Sequence, residues 1–142
     1  WKLNLYSHIY PYIASGTKSV EGRAWSEKRD YTKMRRGDKI IFSDLGSKEK
    51  TTATIVAVKN YASAREYLKK EGLKKCLPWA KSIAEGIGIY YGIAEDWEAR
   101  IRKGGIFAIR IQIARKSKKP IKKIEKIPLK KPLKKSLTNP EK

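Results

Sequence analysis

The chain has 142 residues, of which 34 are Lys or Arg and 14 are Asp or Glu, so its formal charge is +20 and its pI is near 10.1. Forty per cent apolar residues, with four Trp and eight Tyr, are enough to fill the core of one compact domain, which excludes wholesale disorder. A surplus of positive charge this large points to nucleic acid, acidic small molecules or an anionic surface as partners.

Cys76 is the single cysteine and His8 the single histidine. One cysteine excludes an intrachain disulfide framework, and the pair supplies too few soft ligands for a zinc site. No metal or cofactor is expected, and a reducing, cytoplasmic location is the default. The longest nearly apolar runs, Ile55 to Val58 and Ile106 to Ile109, fall far short of the ~20 residues needed to cross a bilayer, so a soluble monomer without membrane contact is expected. The chain opens on Trp1 rather than Met, which leaves room for a preceding segment.

From Leu3 to Ile13, apolar residues at Leu5, Ile9, Tyr12 and Ile13 recur at helical spacing. Asn4 or Ser7 is a candidate cap, Pro11 fits the first turn of a helix starting between Ser7 and Tyr10, and Gly16 is placed to end it. Thr17 to Arg23 alternates around Val20 and predicts a short strand. Ala24 to Arg36 reads as a charged, irregular stretch, with Met34 sealing it against the domain and a turn at Arg36, Gly37 and Asp38.

Lys39 to Ser43 predicts a strand that enters a turn at Asp44 to Gly46. Thr51 to Val58, rich in Thr, Ile and Val, is the clearest strand signal. Ser63 followed three residues on by Glu66 is a capping box, opening a helix that ends near Glu71 and Gly72. Lys81 to Tyr91 predicts a second helix with Ile83, Ile87 and Tyr90 or Tyr91 on one face, although Gly86 and Gly88 weaken it. Trp97 to Ile101 predicts a further helical turn, and Gly105 to Ile113 a closing strand. Short strands with interleaved helices make the fold class α+β, a small curved sheet or barrel.

Residues 1 to 114 hold 22 basic and 12 acidic side chains, and residues 115 to 142 hold 12 basic and 2 acidic. Half the net charge therefore sits in one fifth of the chain. The division is a folded domain over 1–114 and a lysine-rich tail over 115–142. Pro120, Pro128, Pro132 and Pro140 punctuate that tail, which is expected to be extended or partly docked. Its lysines suit a sequence-blind grip on phosphates.

Lys18, Glu21 and Arg23 follow Gly16 closely. On a strand of period two, Glu21 and Arg23 share a face and Lys18 falls on the other, unless a turn near Ser19 brings all three together. Such a cluster offers a carboxylate and two cations. Two neighbouring cations would depress the carboxylate, whereas burial would lower the lysine and favour a neutral amine. A surface ion-pair network is the ordinary alternative. Lys18, Arg23, Arg35, Arg36 and Lys39 are candidates for a basic mouth, and Trp25, Trp79, Tyr67, Tyr90 or Tyr91 for stacking on an exposed base. Tyr67 and Tyr90 also lie at helical spacing with apolar neighbours, which favours packing inward, so Trp25, in a charged loop, is the better stacking candidate. Cys76, placed before Leu77, Pro78 and Trp79, reads as a buried small hydrophobe, and His8 as a structural residue on the first helix.

The run Gly16, Thr17, Lys18, Ser19, Val20, Glu21, Gly22, Arg23 resembles the signature that opens ASCH domains, relatives of the PUA RNA-binding fold. Arg36 to Ile40, then Tyr61 to Ser63 with Glu66 to Leu68 and Glu71 to Leu73, are similar to the family's next blocks. Leu77 and Pro78, Glu85 and Gly86, Tyr90 and Tyr91, and the strand from Gly105 to Ile111 follow in the family's order. The resemblance implies a PUA-like curved β-barrel with interleaved helices, binding a single-stranded or modified nucleotide of RNA in a basic cleft. One branch of the family resembles an amidohydrolase that acts on N4-acetylcytidine through a lysine, a threonine and a glutamate, without a metal. Carried over, the lysine matches Lys18 and the glutamate Glu21 or Glu66. No threonine follows the lysine closely, since position 19 is Ser and Thr17 precedes it. Two alternatives to RNA binding therefore stand: a metal-independent amidohydrolase with Lys18 and Glu21 as catalytic residues, and an adaptor that docks an acidic protein partner.

Overall fold

The computed structural model describes residues 1–114; the expectations for the tail lie outside the described residues. In chain order the elements are β1 (Lys2–Leu5), α1 (Tyr10–Ala14), β2 (Val20–Ala24), a single 3-10 turn (Tyr31–Lys33), β3 (Lys39–Asp44), β4 (Lys50–Tyr61), α2 (Ala64–Glu71), α3 (Leu73–Cys76), α4 (Ile83–Tyr91), α5 (Trp97–Gly104) and β5 (Ile106–Ile113). The strands form one curled five-stranded half-barrel in the order β1-β3-β4-β5-β2. All neighbours pair antiparallel except β1 with β3. A bulge between Ile55 and Ala57 interrupts the β4–β5 register, and such an insertion bends the strand that carries it.

The helix expected over Leu3 to Ile13 is replaced by a strand and a shorter helix. Leu3 and Leu5 are buried while Lys2 and Asn4 are exposed, a period of two that pairs Leu3 with Phe42 on β3. Burial beside an existing strand outweighs a helical spacing that only a few residues support. The helix begins at Tyr10 with Pro11 in its first turn, and neither Asn4 nor Ser7 caps it; Ile9 occupies that position without a side-chain bond. The Ser7 hydroxyl donates instead to Asp44 Oδ1 at 2.5 Å. Strand β2 starts at Val20 rather than Thr17. The one-turn helix α3 carries no periodic signal in four residues.

Two cores lie on opposite sides of the sheet, and β5 divides between them by alternation. Phe107, Ile109 and Ile111 enter the core shared with β1, β3, α1, Tyr31 and Met34. Ile106 and Ala108 enter the core under α2, α4 and α5, with Tyr67, Leu68, Cys76, Tyr90, Trp97 and Ile101. Helix α2 starts where the capping box places it, with Ser63 Oγ accepting from the Glu66 N–H at 3.1 Å. Ser82 and Glu85 repeat the device at α4. Gly86 does not break α4 because the position needs the absence of a side chain: a Cβ there would stand 2.8 Å from Leu68 Cδ1.

Candidate functional site

The site grows from the segment between α1 and β2. The Lys18 N–H donates to Tyr12 O at 2.9 Å, the Ser19 N–H to Lys75 O at 3.1 Å, and the Ile111 N–H to Ser19 O at 3.0 Å. These bonds hold Lys18 between α1, α3 and the start of β2, where it is 2 % exposed. Its ammonium donates to Val20 O and Cys76 O, both at 2.5 Å, and stands 3.5 Å from Glu21 Oε1. On β2, Glu21 lies opposite Ile109 and Arg23 opposite Phe107, so both project to the β1–β3 side of the sheet. Arg23 Nε donates to Glu21 Oε2 at 2.8 Å.

Arg23 Nη2 also donates to Asn4 O on β1 at 2.9 Å. Strands β1 and β2 are the two ends of the sheet order, so this guanidinium bridges the two edges of the half-barrel by a side chain where no ladder joins them. The chain turns at Ser15 to Thr17, ahead of Ser19, and the Lys18 side chain reaches Glu21 from just before β2, so Lys18, Glu21 and Arg23 form one cluster on that seam. Burial lowers the Lys18 ammonium from its usual value, with the Glu21 charge opposing. Burial works against the Arg23 charge as well, but Glu21 raises it on balance. Two cations around one carboxylate leave the cluster complementary to an anion.

Gly22, between Glu21 and Arg23, faces the helices. A Cβ at that position would meet Tyr67 OH at 2.6 Å and Tyr90 Cε1 at 3.1 Å, so the two tyrosines pack directly on the back of the strand. Their hydroxyls share a 2.9 Å hydrogen bond, and burial pushes both phenols well above their ordinary value. This corrects the stacking expectation for Tyr67 and Tyr90: at 0 % and 3 % exposure neither ring has a face open to a base, because both support β2 from behind. Cys76 is buried as expected, its thiol pushed up to about 11 by desolvation.

The remaining candidates lie away from the cluster. Trp25 follows β2 and is half-buried, its ring pressed on Gly104 and covered by the Lys103 ammonium 4.9 Å from its centroid. Arg35, Arg36 and Lys39 are exposed where the chain enters β3. Arg35 is engaged by Thr32 O and Met34 O, and Lys39 by Thr54 Oγ1. Glu66 is engaged in capping, Oε1 accepting from the Ala62 N–H, and Thr17 bonds Ser15. None of these partners belongs to the cluster.

Sequence reasoning named Trp79 beside it but missed the rings that join it. Tyr6 and His8 lie on a turn before α1 rather than on a helix, both exposed, their rings stacked at 5.9 Å. His8 meets Trp79 at 6.4 Å, and Trp79 meets Tyr12 at 4.9 Å. Two aromatics at i and i+2 just after a strand were the signal available, hidden by reading the segment as helix.

A curled, mixed five-stranded sheet with helices between its strands, and a lysine–carboxylate–arginine cluster on the seam between its edge strands, defines an α+β domain of the PUA-like class. The ASCH domain family model matches residues 3–113, and the chain belongs to that family. Two solved structures match most of the chain. Hypothetical protein PH0355 is 35 % identical over 80 % of this chain and 97 % of its own, with a TM-score of 0.68. Protein PF0455 from Pyrococcus furiosus is 34 % identical over 80 % and 96 %, with a TM-score of 0.61. The ASCH protein from Zymomonas mobilis shares the fold at 15 % identity, over 78 % of this chain and 65 % of its own, with a TM-score of 0.54. No protein of curated function matches the chain. The ASCH family is proposed to bind RNA. Among the described residues, no helix is long and apolar enough to cross a membrane.

Proposed function

We propose that the protein binds RNA, taking a single-stranded or modified nucleotide at the seam between β1 and β2. The observation that carries this reading is the Lys18–Glu21–Arg23 ionic cluster, placed where the Arg23 guanidinium bridges the two edge strands of the sheet. Arg23 is the residue best placed to meet a phosphate or a base carbonyl, since its planar fork suits both. Glu21 would accept from an exocyclic amine. Lys18 holds Glu21 and the α3 carbonyl in place from behind and supplies positive potential. Arg35, Arg36 and Lys39 contribute phosphate attraction at a distance, and the tail's 12 basic residues add affinity without sequence information.

One observation favours a second reading, hydrolysis of an amide on an acylated nucleoside. Burial lowers the Lys18 pKa, which makes a neutral amine easier to reach. Against it, the amine is already engaged by Val20 O, Cys76 O and Glu21, so it must leave these partners to touch a substrate.

The test is titration of a short single-stranded RNA against the full chain across a salt series. Arg23→Gln is expected to weaken binding about 10-fold, the effect of removing one charged hydrogen-bond donor. Replacing Lys118, Lys119, Lys122 and Lys123 by Gln is expected to flatten the salt slope, by roughly 0.7 for each phosphate no longer neutralised. Affinity that vanishes with the tail lysines and ignores Arg23 would refute a site at the seam. Release of product from an acylated nucleoside, abolished in Lys18→Met, would replace binding by hydrolysis.

A further inference from the structure

The seam is flanked by a group of aromatic rings of which only Trp79 was a stacking candidate in the sequence. Tyr6, His8, Trp79 and Tyr12 form a continuous series of ring contacts at 5.9, 6.4 and 4.9 Å. Tyr6 is 51 % exposed, and His8 is exposed beside it. Tyr6 and His8 keep ring surface toward solvent, while Trp79 and Tyr12 are half-buried, Trp79 anchored against the core under α2, α4 and α5.

Both segments that carry the series are tied to the ionic cluster. Arg23 bonds Asn4 O, two residues before Tyr6, and Lys18 bonds Cys76 O, three residues before Trp79. The Lys18 N–H also bonds Tyr12 O. Each segment is further pinned from outside. Ser7 Oγ donates to Asp44 Oδ1 at 2.5 Å, and Lys74 Nζ donates to Ala80 O at 2.6 Å and Pro78 O at 3.3 Å, on either side of Trp79. The rings therefore project from segments fixed before any ligand arrives, which lowers the ordering cost of binding. Cations stand at both ends: Lys74 beside Trp79, and Lys48, whose Nζ bonds Leu45 O in the turn that holds Ser7.

We propose that Tyr6, His8 and Trp79 form a stacking platform for an unpaired base of single-stranded RNA, next to the nucleotide held at the Lys18–Glu21–Arg23 seam, with Lys48 and Lys74 toward the flanking phosphates. This rests on the RNA-binding reading and adds a second base position to it. Flat π-faces beside cations fit a base and its phosphates, whereas a duplex keeps its bases stacked on each other and offers none.

The experiment measures binding of a short oligoadenylate, a short oligouridylate and a blunt RNA duplex to the full chain and to two double variants, Tyr6→Ala with His8→Ala and Tyr6→Phe with His8→Phe. Both positions are exposed, so thermal melts should be unchanged. Stacking contributes ~1–3 kcal/mol per base, so the alanine pair should weaken oligoadenylate binding by roughly 5- to 150-fold, with the salt slope unaltered. Its preference for adenine over uracil should shrink, and the phenylalanine pair should retain both. Trp79→Phe should remove the part of the tryptophan quenching that oligoadenylate produces.

If the unmodified chain binds single strands and the alanine pair binds them equally, the platform is wrong and the seam site stands. Equal weakening toward the duplex, or a reduced salt slope, would also overturn stacking, because both mark a general electrostatic effect. No binding by the unmodified chain refutes the seam site and the platform together.

Discussion

Replacing Glu21 by Gln tests whether the ionic cluster is a coupled unit. The change keeps shape and an acceptor for Arg23 but removes the negative charge between a buried lysine and a partly buried arginine. With Lys18 Nζ at 3.5 Å and Arg23 Nε at 2.8 Å from the carboxylate, the Coulomb attractions at an effective dielectric constant near 20 are about 5 and about 6 kcal/mol. Desolvation cancels part of this, and breaking a buried pair by removing one partner costs about 3–5 kcal/mol net. Glu21→Gln is therefore expected to lower the unfolding free energy by about 3–5 kcal/mol in chemical denaturation, with an unchanged denaturant slope. Lys18→Met in the same background should recover part of the loss, since it removes one uncompensated cation. A cost below about 1 kcal/mol for Glu21→Gln, or strict additivity of the two changes, would refute the coupling.

Gly22→Ala should cost about 1–3 kcal/mol by denaturation, because the new methyl meets the Tyr67 hydroxyl. Tyr67→Phe should restore part of that, and a neutral Gly22→Ala would show that the tyrosines do not brace β2. The Cys76 thiol, held at about 11 against an ordinary 9.0, binds its proton more tightly in the folded state. Its contribution is full below about pH 9 and is lost as pH rises toward 11, some 3 kcal/mol at 1.36 kcal/mol per pH unit. Tyr67 and Tyr90 act in the same direction, whereas Lys18, lowered in the fold, works the other way, gaining as pH rises toward 10.5. Melting temperatures should fall from about pH 9 upward and fall less in Cys76→Ala; equal pH profiles would refute the assignment. Burial raises the Glu71 carboxyl, but bonds from Arg110 and Tyr61 lower it further, to a net value below 4.5. Its contribution is present above about pH 4.5 and lost as pH falls through the depressed value. Arg110→Gln should remove about 1 kcal/mol at neutral pH and less in acid, and an equal loss at both pH values would contradict the ion pair.

What the sequence determined alone is what depends on neighbours along the chain. The β-branched run of β4, the capping box at Ser63 and Glu66, the alternation of Ile109, Ile111 and Ile113 on β5, and the charge of the tail are all local, and the ordered blocks of the ASCH family add the topology. The grouping of Lys18, Glu21 and Arg23 was open in the sequence because it depends on how the segment before β2 is held, and Lys75 and Ile111, distant in the chain, supply the hydrogen bonds that fix Ser19 there. Tertiary structure alone decided that Leu3 and Leu5 belong to a strand, since β1 is stabilised by pairing with β3 rather than by its own propensity. The same holds for the direction each aromatic ring faces. Tyr67 and Tyr90 are tyrosines like Tyr6, yet the first two are enclosed by α2, α4 and β2 while Tyr6 lies beside a turn that the Ser7–Asp44 bond holds at the surface. Burial is a property of the contacts that surround a residue, and those contacts arise only when distant segments of the chain meet.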